Sequence, residues 1–81
     1  MAIETLTYNR VADQKRLDFI IHNIQKTLGK GGKILDVGCG NGIISSALGK
    51  LGYEVTGIDV SERAILKARE INHLPNVHFE I

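Results

Sequence analysis

Three glycines at alternate positions, Gly38, Gly40 and Gly42, follow directly on an apolar run made by Ile34, Leu35 and Val37. Glycine has no Cβ, so the backbone there can take positive φ and a ligand can lie against the main chain. Asp36 stands two residues ahead of the first glycine, and Cys39 and Asn41 fill the gaps between the three. Asp59 comes seventeen residues after Gly42, at the end of a second apolar run, Val55 to Ile58. An acid at the tip of a strand is well placed to grip a ribose through its two hydroxyls. These residues together suit recognition of a small cofactor by exposed backbone and one carboxylate.

Each of these residues also has a purely architectural use. Strand-to-helix turns often carry one or two glycines, but three at alternate positions point to ligand binding. Dinucleotide sites favour G-x-G-x-x-G, whose third glycine lets the helix pack close to the strand and face a pyrophosphate. From Gly38 that third position is occupied by Ile43, and the observed spacing is G-x-G-x-G. Asp36 can pin the turn by accepting loop amides. Asp59 can serve as a helix N-cap, although Ser61 already fills that position. Cys39 is expected to be exposed in the loop as a small residue that suits a tight turn. A catalytic thiol needs a histidine or cation beside it, and nothing brings His22, His73 or His78 there. The histidines show no metal-ligand spacing, so no metal is expected.

The segments around these residues alternate between strand and helix. Residues 1 to 7 read as a lead-in. A helix begins at Tyr8 or Asn9, with Asn9 as its N-cap, and runs to about Leu28; Leu17, Ile20, Ile21, Ile24 and Leu28 form its apolar stripe. The glycines at 29, 31 and 32 end it. Lys33 to Val37 reads as a strand buried on both faces, because its apolar residues run together instead of alternating. Ile43 to Leu51 is a short helix closed by Gly52. Tyr53 or Glu54 to Ile58 is the second strand. Ser61 caps a third helix running to about Asn72, with Ala64, Ile65, Ala68 and Ile71 on its apolar face and Leu66 beside it. Pro75 stops further helix, and Val77 to Ile81 is the third strand. Alternation of this kind predicts an α/β fold with parallel strands and right-handed crossovers. Three strands in spatial order 3-2-1 with three helices make a truncated Rossmann-like half of a doubly wound sheet. The first strand is expected to form an exposed edge.

Leu35-Asp36-Val37-Gly38-Cys39-Gly40-Asn41-Gly42 and Val55-Thr56-Gly57-Ile58-Asp59-Val60-Ser61 resemble the first and second motifs of the class I S-adenosylmethionine (SAM)-dependent methyltransferases. The likeness covers roughly residues 20 to 81. It implies residues 1 to 8 as lead-in and 9 to 81 as a partial SAM-binding domain, cut at the third strand. SAM has no pyrophosphate, which fits the G-x-G-x-G spacing better than a dinucleotide does. The resemblance assigns cofactor contacts to Asp36, Gly38, Cys39, Gly40, Asn41, Gly42, Asp59 and Val60. Asp36 and the Gly38 carbonyl would orient the methionine amino group, Asp59 the ribose, and Val60 one adenine face. Tyr8 sits where many members fold an N-terminal segment over the cofactor, and packing on the core as a helix-entry aromatic stays open as its alternative. The methyl acceptor and any catalytic base come from later parts of such a fold and are not readable here. The expected function is the cofactor part of a methyltransferase acting on a small molecule, with the chain alone not competent. Two alternatives stay open: a non-catalytic nucleotide-binding or interaction module, and a fragment of a dinucleotide-dependent oxidoreductase.

Composition narrows the classes. The 81 residues suffice for one small domain. Hydrophobic residues make up 43% and charged residues 23%, which is ordinary for a globular chain. Two tyrosines, two phenylalanines and no tryptophan leave the core little aromatic surface, so marginal stability or help from a partner is expected, with self-association of the isolated chain. The net charge of +1 is spread evenly, without the basic stripe that nucleic acid would require. No stretch is long and apolar enough for a membrane span or a signal peptide. With one cysteine and no export signal, the cytoplasm is the expected compartment.

Overall fold

A computed structural model describes residues 10–81, with side chains from Gln14 onward. The expectations for Tyr8, Asn9 and the lead-in lie outside the described residues. The chain runs α1 (Arg10–Leu28), β1 (Lys33–Val37), α2 (Ile43–Lys50), β2 (Glu54–Ile58), α3 (Glu62–Ile71), β3 (Val77–Glu80). The three strands form one parallel sheet in the order β1-β2-β3. This is the α/β arrangement that the alternating pattern predicts.

Glycine and polar caps set the helix boundaries. Gly29, at φ 74°, closes α1 and donates its N–H to the Gln25 carbonyl at 2.9 Å. Leu51 ends α2, and Gly52 follows at φ 100°, as its position after the helix requires. Ser61 caps α3 by accepting the Ala64 N–H at 3.2 Å. At the other end of α3 the Asn72 amide donates to the Ala68 carbonyl at 2.8 Å. The last apolar position expected on α3, Ile71, is exposed, and so is Leu66. The inward row is Ile65, Ala68 and Asn72, three and four residues apart, so Asn72 closes the face that Ile71 was expected to finish.

Side chains at paired positions of a parallel sheet share a face. The registers Ile34↔Val55↔Val77 and Asp36↔Gly57↔Phe79 therefore line one side. Val55, Val77 and Phe79 are buried there with Leu48, Tyr53, Ile65 and Ala68, and Ile21, Ile24, Ile34 and Ile44 pack against them. All three helices thus contribute to the core on this side. The fit is close at Gly49 of α2, where a Cβ would lie 2.2 Å from Val77 Cγ2. The Asn76 side chain adds a polar staple, donating to the carbonyls of Gly49 at 2.8 Å and Tyr53 at 2.7 Å.

The opposite face corrects one expectation. β1 is not buried on both sides: Leu35 is 59% and Val37 72% exposed. Its apolar residues run together because both faces are suited to cover, but among the described residues the helices pack on one face only. β1 also lies at the edge of this sheet, as expected from the strand order.

Candidate functional site

The site lies where β1 and β2 end, the side of a parallel sheet on which ligands bind. Past Val37 the chain leaves the ladder. The N–H groups of Gly38 and Cys39 both donate to the Ile58 carbonyl, at 2.8 and 3.0 Å. The Gly42 N–H then closes a tight turn onto the Cys39 carbonyl at 3.0 Å, and the Ser46 N–H opens α2 by donating to the Gly42 carbonyl at 2.8 Å. This path puts Gly38, Gly40 and Gly42 at φ 74°, 58° and 85°, where side-chain-bearing residues are strained.

The three glycines are not equivalent. A Cβ at Gly38 or Gly40 would meet nothing within 4 Å, so both present bare backbone to open space. A Cβ at Gly42 would lie 2.6 Å from Phe79 Cζ and 3.1 Å from Asn72 Nδ2. Gly42 is therefore required by packing of the loop on β3, and Gly38 and Gly40 form the accessible surface. Asn41 is held through its carbonyl, which accepts from Asn72 Nδ2 at 3.2 Å.

Asp59 follows β2 and reaches the same loop. One carboxylate oxygen accepts the Gly40 N–H at 2.9 Å and the other accepts the Ser61 N–H, also at 2.9 Å. It thus ties the loop to the start of α3. Each oxygen keeps further acceptor capacity for a ligand hydroxyl. Ser61, not Asp59, is the helix cap. Val60 is 96% exposed beside it, an apolar surface facing solvent at the mouth of the site.

The Asp59 carboxyl is held below its ordinary value of 3.8, first by the Ser61 amide and then by that of Gly40, which favour the charged form. A depressed folded-state value means that its contribution to stability is complete above the unfolded value. That contribution is lost as pH falls through the folded one. The expected result of a carbon-13 NMR titration is a midpoint for the Asp59 carboxyl below 3.8. A midpoint at or above it would show that the two amides do not bond to the carboxylate.

Asp36 faces the helix side of the sheet, and its Oδ2 accepts the Ser45 hydroxyl at 2.6 Å. Ser45 is fully buried in α2. Opposite both lies Gly57 of β2, where a Cβ would be 2.9 Å from Ser45 Oγ and 2.9 Å from Cys39 Sγ. The sequence pattern does not single out Ser45, Gly57 or Asn72. The signal for the first two is the register that sets Gly57 beside Asp36, and that register appears only once the strands pair.

Cys39 departs from its expected exposure. It is half-buried, with its thiol turned toward Gly57 and weakly bonded to the Gly40 carbonyl at 3.6 Å. Burial pushes the thiol up, and the negative charges of Asp36 and Asp59 add to that effect. A thiol raised in this way is a poorer nucleophile, because the thiolate is the reactive form. Among the described residues no cluster of His, Cys, Asp and Glu could hold a metal ion, and no helix is long and apolar enough to cross a membrane.

Comparison with known proteins gives a consistent answer. Residues 28–81 match a family model described as a methyltransferase domain. The chain is 44% identical over 54 residues to the ubiquinone biosynthesis O-methyltransferase of Idiomarina loihiensis, covering 67% of this chain and 21% of that protein. It is 38% identical over 72 residues to ribosomal RNA small subunit methyltransferase C of Alcanivorax borkumensis, covering 83% and 22%. Among solved structures it resembles a TehB-like SAM-dependent methyltransferase from Corynebacterium glutamicum, with a TM-score of 0.65 and 29% identity over 98% of this chain and 39% of that one. The chain spans about a fifth of the length of the curated relatives it matches. With its Rossmann-like strand order and its paired glycine loop and acid, the chain belongs to the methyltransferase-domain family and carries part of a class I SAM-dependent methyltransferase.

Proposed function

We propose that this chain holds SAM at the ends of β1 and β2, and that the protein carrying it methylates a small molecule. The observation that carries the proposal is the pairing of open backbone at Gly38 and Gly40 with a carboxylate bonded to the Gly40 amide. Asp59 would accept the two ribose hydroxyls, and Val60 would lie against one adenine face. The Gly38 carbonyl, with Asp36 behind the loop, would receive the cationic amino group of the methionine part. Cys39, Asn41 and Gly42 would contribute backbone only.

SAM supplies an electrophilic methyl group on a sulfonium sulfur. The contribution of these residues is to hold it in one orientation, because an in-line displacement depends chiefly on positioning. No residue of the described site is placed as a general base, so the acceptor and any base are assigned to other segments. The chain alone is proposed not to complete the transfer. One relative is a ribosomal RNA methyltransferase. Ten cations against nine acids, without a basic stripe, favour a small-molecule acceptor over RNA here. The proposed compartment is the cytoplasm.

Calorimetric titration with SAM, S-adenosylhomocysteine and NAD tests this reading. Binding of the first two at one site per chain is expected. Binding of NAD instead would support a dinucleotide-dependent enzyme, and binding of none would leave an interaction module.

Prepared alone, the 81-residue chain is expected to associate with a second copy. β1 presents edge N–H and C=O groups, exposed Leu35 and Val37, and Lys33 as its one cation. A two-fold pairing along β1 would be antiparallel and would cover this edge in both copies. Light scattering over a dilution series should show dimer, and Leu35→Lys should shift it to monomer. A monomer at micromolar concentration would exclude the pairing.

A further inference from the structure

We infer that Ser45 is a positioning residue for the amino-acid half of the cofactor, acting through Asp36. The inference rests on the reading above in which Asp36, behind the loop, helps the Gly38 carbonyl to orient the methionine amino group. Ser45 is the one buried polar residue of the described core, with no exposed surface. A serine inside a helix ordinarily bonds back to a carbonyl of its own turn. Here its hydroxyl leaves the helix and donates to Asp36 Oδ2 at 2.6 Å, the length of a charge-assisted bond.

The surroundings fix that geometry. Gly57 lies across from Asp36 in the sheet register, and its missing Cβ makes room for both Ser45 Oγ and Cys39 Sγ, which would each be 2.9 Å from it. Ser45 therefore has little freedom to turn elsewhere. One Asp36 oxygen is committed to α2, and the other remains to act on the loop. The charges of Asp36 and Asp59 both reach Cys39, so both carboxylates lie near the loop. Asp59 faces the ribose side. Asp36, clamped by Ser45, supplies a fixed negative charge for the amino-acid half. Without the clamp the carboxylate can rotate, and the cationic amino group loses a preorganised partner.

Two ligands separate this role from a structural one. SAM carries the amino-acid chain, whereas 5′-methylthioadenosine carries the same adenosine without it. In calorimetry on the protein, Ser45→Ala should weaken SAM binding about fivefold to tenfold, within the range of coupled neighbouring residues, and leave methylthioadenosine within about twofold. Ser45→Cys, a weaker donor of similar size, should fall between the two. Asp36→Ala should show the same selectivity, and adding Ser45→Ala to it should cause no further loss. If Asp36→Ala is selective but Ser45→Ala weakens both ligands equally, or adds its full effect to the double variant, the inference about Ser45 is overturned. If Asp36→Ala itself does not discriminate between the ligands, the reading of Asp36 fails and the inference falls with it.

Discussion

Gly40→Val should abolish SAM binding, lowering affinity by more than about a hundredfold, while the α/β core still folds. The Cβ of residue 40 would point into space that is empty of protein to 4 Å, the space assigned to the cofactor. At φ 58° a β-branched side chain is also strained. Relief of that strain would move the loop and loosen the Gly40 N–H from Asp59. The fold itself loses little, since no core atom is displaced. A strain of about 1–2 kcal/mol corresponds to a fall in Tm of roughly 4–16 °C for a domain of this size. Gly42→Ala should behave in the opposite sense. Its Cβ would collide with Phe79 at 2.6 Å, and Phe79 belongs to the buried core. Overpacking of about 1–3 kcal/mol adds there to the cost of positive φ. The melt should drop further for Gly42→Ala than for Gly40→Val, despite the smaller side chain. Thermal melts run beside calorimetry check both. Equal losses of stability and binding at the two positions would mean that the loop is a folding element with no ligand-facing surface.

The contrast between these glycines shows where the sequence stops being sufficient. Their spacing announces a strand-to-helix loop, and the strand boundaries agree closely with the apolar runs at Ile34 and Val55. Local chemistry decides those features: glycine tolerates positive φ, and Ser61 caps α3 with its own hydroxyl. Which glycine faces the ligand is not local. It depends on Phe79 of β3, thirty-seven residues later, arriving under Gly42 and leaving Gly40 open. The Ser45–Asp36 bond is hidden for the same reason. Serine in a helix has no distinctive pattern, and its partner becomes apparent only when α2 folds back across β1. The contiguous apolar run of β1 misleads in another way. It records what the strand is suited to contact on both faces, whereas the described helices cover only one.

Asp59 is where the structure adds most to the expected behaviour of a variant. Read as a ribose ligand alone, Asp59→Ala removes two charge-assisted hydrogen bonds and should weaken SAM binding at least about tenfold. The carboxylate also holds the Gly40 amide, so the same change frees the loop that carries the open glycines. The loss should therefore extend to every ligand that uses the loop, and 5′-methylthioadenosine should weaken along with SAM. Asp59→Asn separates the two contributions. Its one side-chain oxygen can accept from Gly40 or from Ser61 but not from both in the present geometry, and its NH2 group faces the remaining amide as a second donor. Affinity for both ligands should fall to an intermediate level. The α3 cap, which depends on Ser61 and Ala64, should survive in both variants. Circular dichroism provides the control: an unchanged helical signal with a tenfold or greater loss of binding places Asp59 in the site. Unchanged affinity with an intact fold would leave Asp59 as a brace between the loop and α3, with no ribose to hold.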